Sequence, residues 1–208
     1  MLLVFGAGLL CAADCYMHCS YVDEPDKHEI KRVINQKMIE VVRGLINVEE
    51  CTRKTVRKDR PTILMPLEWF GSHHAMFRCY TPAILELKQR FRVVALCRDS
   101  QEDVNDEARA IFDKCVLLPP DTTTIDTVAK AINAEEPDIL YYPSIGMSPW
   151  YVALSNFRLA PIQVMAPGHP ATTMSKCIDY IVSDGDLFGD SQDYTEKLVP
   201  LPTGTTRY

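Results

Sequence analysis

Several signatures that would assign a chemistry at once are absent from this chain. No G-x-G-x-x-G follows the first apolar segment, so a dinucleotide cradle is disfavoured. No G-x-x-x-x-G-K-[ST] occurs, which removes a Walker-type phosphate loop, and no G-x-S-x-G provides a hydrolase elbow. Positive charge is in deficit: the formal net charge is −6 over 208 residues, so the phosphate backbone of nucleic acid is not an expected partner. The exception is "RKTVRKDR", Arg53 to Arg60, with five cations in eight residues; it reads as a solvated basic linker. No repeat, low-complexity tract or bilayer-length apolar run is present. The charge-free stretch Met1–Ala13 falls short of the roughly 20 residues a span needs. It also lacks the leading Lys or Arg of a secretory signal, so it is expected to be a core helix cut at its start.

What is present suits a globular protein with a real core: 47% hydrophobic and 24% charged residues. Of eight cysteines, Cys51, Cys79, Cys97, Cys115 and Cys177 are scattered without ligand spacing, as expected of reduced, packed thiols in a cytoplasmic protein. Cys11, Cys15 and Cys19 fall on one helical face; their spacing of four is wider than the usual cluster and zinc patterns, and no metal is expected.

Asp26–Leu45 has helical spacing, with Ile30, Val33, Ile34, Ile39 and Val42 broadly on one side. From Pro61 the pattern changes. Apolar runs at 62–66, 92–97, 115–119, 138–143, 162–166, 177–183 and 197–202 alternate with helical stretches near 73–90, 103–113, 124–134, 149–157 and 186–193. Runs apolar throughout are strands covered on both faces, and strands alternating with helices predict a doubly wound, mostly parallel α/β sheet after a short helical segment.

In such sheets ligands bind beyond the carboxyl ends of the strands, where strand order reverses. Three loops leave those ends carrying polar and small residues. The first holds Gly71, Ser72, His73 and His74; the second Ser144, Gly146 and Met147; the third Gly168, His169, Thr172 and Thr173. Any one of them alone reads better as turn glycines, caps and a structural histidine. Three on one edge, with three of the five histidines, point to a polar site.

The string "FRLAPIQVMAPGHPATTMSKCIDYIVSD", followed by "YTEKLVPLP", resembles the segment joining the two halves of the O-GlcNAc-transferase-like glycosyltransferases of family 41. The HMW1C-type bacterial branch is the nearest match. "LEWFGSHHAMFR" and "PDILYYPSIGMS" stand in the matching order, so the resemblance runs from about Pro61 to Pro202, and Cys15–Lys37 resembles the end of that branch's helical domain.

The resemblance implies one Rossmann-like half of a two-domain GT-B enzyme. Residues 1–50 would close a helical domain, 51–60 form the basic linker, 61–202 the acceptor-side domain, and 203–208 the start of a donor-binding half. It implies a metal-independent, inverting transfer from a UDP-hexose or UDP-GlcNAc to Asn or Ser/Thr of a protein acceptor, adhesin-like in relatives. The partners implied are that acceptor and a C-terminal donor-binding unit, with no membrane span. His73 and His169 would be the catalytic candidates, and Gly71, Ser72, His74, Ser144, Gly146, Met147, Gly168, Thr172 and Thr173 would line the acceptor or substrate. Gln163 and Arg158 read as scaffold. Met174 stands where the branch tends to place a second histidine, which leaves the acceptor type open. A non-catalytic Rossmann-like module binding a peptide or ligand is the alternative.

Overall fold

The computed structural model describes residues 14–119, 124–166, 168 and 171–204. The apolar stretch 1–13, with Cys11, lies outside them, as does His169. Residues 14–18 are helical and lead into a 3-10 turn at Cys19–Tyr21. Helix α1 follows at Glu29–Leu45. Its buried face is Lys31, Ile34, Asn35, Met38 and Val42, whereas Ile30 and Val33 are exposed. The helix is thus rotated from the expected apolar stripe. The rotation is set by Lys31 and Asn35, two polar residues with long-range partners described below.

Seven strands follow: β1 (Thr62–Pro66), β2 (Arg92–Arg98), β3 (Lys114–Leu118), β4 (Ile139–Tyr142), β5 (Ile162–Met165), β6 (Tyr180–Asp184) and β7 (Lys197–Leu201). Every pairing is parallel, in the order β3-β2-β1-β4-β5-β6-β7. The order reverses between β1 and β4, joined through Ile63↔Ile139 and Leu64↔Leu140.

Helices α2 (Ala75–Leu87), α3 (Asp106–Arg109), α4 (Ile125–Ala134) and α5 (Pro149–Leu154) cross between strands. Each starts at a readable signal: the His74 ring, the Asn105 amide, a Thr124–Thr127 capping box, and Pro149 after Ser148. Side-chain alternation along the strands divides the core in two. Leu64, Leu96 and Leu140 face α1, α4 and α5; Ile63, Met65, Val93 and Ala95 face Tyr80 and Ile84 of α2 and Ala108 of α3. This is the α/β, Rossmann-like sheet expected, covered by helices on both faces.

Three expectations are corrected in detail. The helix near 186–193 is two 3-10 turns, Gly185–Leu187 and Ser191–Asp193, because Gly189 separates them and the Asp190 carboxylate caps Gln192 N at 3.0 Å. The stretch 103–113 holds only α3, since Asp103 and Asn105 are committed to the loop after β1. Strand β6 begins at Tyr180 and not at 177, because Asp179 turns its carboxylate onto Arg158 and the Gln163 amide. The sheet is wholly parallel.

The basic stretch has neither helix nor strand and lies against the amino-terminal edge of the sheet. Arg53 donates to the carbonyls of Glu136 (2.9 Å) and Pro137 (3.2 Å), Lys58 pairs with Asp138 at 2.7 Å, and Arg60 with Asp113 at 3.1 Å. Among the described residues no helix is long and apolar enough to cross a membrane.

Candidate functional site

The loop after β1 is drawn tight by backbone bonds. Leu67 N donates to Leu96 O and Phe70 N to Asp103 O, which buries the Phe70 ring against Phe77 and Phe112. Asn105 bonds Ser72 twice: its Oδ1 accepts from Ser72 N at 3.1 Å and its Nδ2 donates to Ser72 Oγ at 2.8 Å. Ser72 is therefore held as a strut. His74 closes a turn onto Gly71 O at 2.7 Å, and its Nδ1 accepts from Met76 N at 3.2 Å. Burial, then the neighbouring His73 and Arg78, lower its pKa, so the ring is neutral near pH 7. His73 is the exposed one of the pair. A Cβ on Gly71 would lie 2.7 Å from His73 Cε1, so the glycine lets that ring fold back over the loop.

The loop after β4 carries Ser144, buried, and Gly146 at φ +148°, a conformation that favours glycine. Met147 is 39% exposed, and Ser148 N donates to Glu68 Oε1 at 2.9 Å, tying this loop to the first. The loop after β5 returns across both. Gly168 N donates to Pro143 O at 3.1 Å. A Cβ there would stand 2.5 Å from Pro143 O, 2.7 Å from Met76 Cε and 2.9 Å from Ser144 Cβ. All three loops thus converge on Gly168, with His74 two residues before Met76.

Thr172 and Thr173 are buried one step further on, and their polar groups are engaged. Thr172 Oγ1 donates to Glu196 Oε2 at 2.8 Å, while Glu196 Oε1 accepts from both Thr173 N (2.8 Å) and the Thr173 hydroxyl. The Thr172 carbonyl accepts from Lys31 Nζ at 2.8 Å; that of Thr173 accepts from Tyr16 OH (2.8 Å) and Asn35 Nδ2 (2.9 Å). Burial pushes the Lys31 ammonium down to about 8, with Cys19 and Glu196 opposing the fall. This latch fastens the third loop to the helical segment. Below it, Gln163 Oε1 accepts from Leu159 N at 2.6 Å and its Nε2 donates to Cys177 O at 2.8 Å, and Arg158 grips Asp179 through two bonds of 2.6 and 3.0 Å. Gln163 and Arg158 hold the strand ends, as scaffold.

One residue escaped the reading of the sequence. Glu68 lies between β1 and the aromatic pair Trp69–Phe70, with Oε2 fully enclosed and unpaired among the described residues. The residue as a whole is half-buried, yet burial of the carboxyl raises its pKa from 4.5 to about 8, against the lowering effect of the Ser148 N–H. The signal was available as a lone carboxylate inside the apolar string "LMPLEWF".

The family model described as HMW1 domain 2 matches residues 9–42. Two curated relatives, both UDP-glucose:protein N-beta-glucosyltransferases of Actinobacillus pleuropneumoniae, one from serotype 5b (strain L20) and one from serotype 7 (strain AP76), are each 32% identical over 203 residues. The matches take in 94% of this chain and 32% of each relative. Over nearly all of its length the chain is similar to HMW1C-type glycosyltransferases of family 41. It spans about a third of the length of the curated relatives it matches. A solved structure, a K341M mutant of Thermobaculum terrenum O-GlcNAc transferase, superposes on this HMW1C-like chain with TM-score 0.66 at 22% identity, covering 94% of this chain and 38% of that one. The fold is shared.

Proposed function

We propose that these 208 residues form the acceptor-side portion of a protein glycosyltransferase, one that moves a hexose or N-acetylhexosamine from a UDP-sugar to Asn or Ser/Thr side chains with inversion and without a metal. In this reading residues 1–50 close a helical domain, 51–60 link it, 61–202 form the acceptor-side unit, and the donor nucleotide is held by a second Rossmann-like unit beyond 203–208. The observation that carries the reading is the convergence of the three loops on Gly168, beside the point where strand order reverses. The activity for which the two curated relatives are named supports it.

The roles follow from what each group has free. His73, exposed at the loop tip, orients the acceptor and takes its proton; His169, in the third loop, shares that task. His74 is neutral and capped to Met76 N, so its part is to set the His73 backbone. Gly71, Gly146 and Gly168 let main chain approach the substrate, Ser72 struts the first loop, and Ser144 and Met147 line the floor. Thr172 and Thr173 hold the third loop in place through Glu196.

The test is transfer of radiolabel from UDP-glucose and UDP-GlcNAc to an acceptor protein bearing Asn and Ser/Thr. It is run with this chain alone and with the separately expressed C-terminal half of a relative. Activity on mixing, lost in His73→Ala and His169→Ala, is the expected result. Robust turnover by the 208 residues alone refutes the division of labour, and a folded chain silent in both arms favours a binding module.

A further inference from the structure

The chain has two tryptophans, and both stand on one pocket. Trp69, 42% exposed, and Trp150 line an open cavity of about 210 Å³ with Glu68, Arg98, Met147 and Ser148. It opens at the carboxyl edge of the sheet between the loop after β1 and the start of α5. A second void of only about 10 Å³ lies behind it, bordered by Phe70, Met76 and Ser144. Glu68, Trp69 and Met147 line both, so these side chains partition one site into an outer and an inner chamber. Glu68 Oε2 and Ser144 Oγ, both enclosed and without a hydrogen-bond partner among the described residues, belong to side chains on the inner chamber's wall.

The lining selects its ligand by chemistry. Indole faces favour a flat C–H surface, while an unpaired carboxyl requires a hydroxyl or an N–H. A purely apolar side chain would leave Glu68 unmatched. A phosphate would find no free cation among the lining residues, because the Arg98 guanidinium already binds Asp103 at 2.6 Å. A pyranose satisfies both demands, with an apolar C–H face and a hydroxyl rim. Met147, half-exposed and unbranched, is the side chain able to yield and join the chambers.

We propose that this pocket is a saccharide subsite. It takes a pyranose that carries no nucleotide, stacked on Trp69 and Trp150, with a hydroxyl on the Glu68 carboxyl. The inference goes beyond the transferase reading and stands without it, since neither donor nor turnover is required. The sugar is a free glycoside or one already attached to a polypeptide.

Because both tryptophans line the pocket, intrinsic fluorescence of the chain reports this site. The titrants are methyl β-D-glucopyranoside, methyl N-acetyl-β-D-glucosaminide, an Asn-containing peptide with and without a β-linked glucose, UDP, and UDP-glucose. The glycosides and the glucosylated peptide should give a saturable change, weakened about tenfold by Trp69→Ala and by Glu68→Gln in variants with unchanged far-ultraviolet circular dichroism. Tighter binding of the glucosylated peptide than of the methyl glycoside, with UDP and bare peptide silent, identifies the attached sugar as the ligand; equal binding identifies the glycoside itself. A response to UDP or to the bare peptide without one to glycosides overturns the proposal. So does binding of UDP-glucose more than tenfold tighter than methyl glucoside, or no saturable response to any sugar by the folded chain.

Discussion

Replacing Glu68 by glutamine changes how the stability of this chain depends on pH. In the folded state burial holds the carboxyl protonated up to about 8, whereas the unfolded chain releases the proton near 4.5. Between those values the folded state binds the extra proton, so stability is full below 4.5 and is lost as pH rises through about 8. A shift from 4.5 to about 8 sets a ceiling of about 5 kcal/mol on that loss. Glu68 is only half-buried and lines the open pocket beside Met147, which allows relaxation toward water, so about 2–3 kcal/mol is expected. Glutamine keeps an oxygen for the Ser148 N–H and has no charge to develop. Urea denaturation of the two proteins at pH 5.5 and pH 8.5 isolates the effect, because every other titrating group is common to both. Near-equal stabilities at the lower pH and a variant more stable at the higher one are expected. Parallel dependences would refute the claim that Glu68 is buried as the neutral acid.

Other perturbations test other parts of the framework. Gln163→Ala removes a buried amide that bridges Leu159 N and Cys177 O, and should cost about 3 kcal/mol in urea denaturation. Gly168→Ala drives a methyl into Pro143 O and should cost about 1–3 kcal/mol while disturbing transfer in the mixed-halves assay more than His74→Asn does. Glu196→Ala strands two threonine hydroxyls and the Thr173 N–H and should cost about 3 kcal/mol, with Glu196→Gln recovering most of it in thermal unfolding. His28, lowered to about 4 chiefly by burial and then by Lys31 and Lys27, with Asp193 opposing, binds its proton less readily folded than unfolded. Stability should therefore fall as pH drops from 6.5 toward 4, and His28→Gln should flatten that fall in a denaturation series.

The sheet was legible because strands covered on both faces are largely apolar, as the inner strands β1, β2 and β4 are, while the edge strands β3 and β7 keep apolar runs although much of each is exposed. The helix starts were legible through their caps. What periodicity misses is a polar residue recruited inward by a distant partner. Lys31 and Asn35 look like surface positions of α1 until Thr172 and Thr173 supply carbonyls from about 140 residues away, and Asp179 leaves its strand for Arg158, 21 residues back. Of the candidate site, the three loops could be placed on one edge from strand polarity alone. That Thr172 and Thr173 have their hydroxyls occupied depended on Glu196, whose only local cue is an acidic residue before an apolar run.

The latch also decides where this polypeptide can be cut. The exposed basic stretch 51–60 looks like a natural seam, and trimming to Pro61 would seem to leave a self-sufficient sheet. Such a cut removes the three donors, Tyr16, Lys31 and Asn35, that satisfy the Thr172 and Thr173 carbonyls, and uncovers the face on which Ile34, Met38 and Val42 pack. An expression boundary placed there would yield a sticky, loop-frayed product, whereas one placed ahead of Asp14 keeps all three donors. Exchange of this segment between relatives should therefore carry the helix and the third loop together, as one transplantable unit.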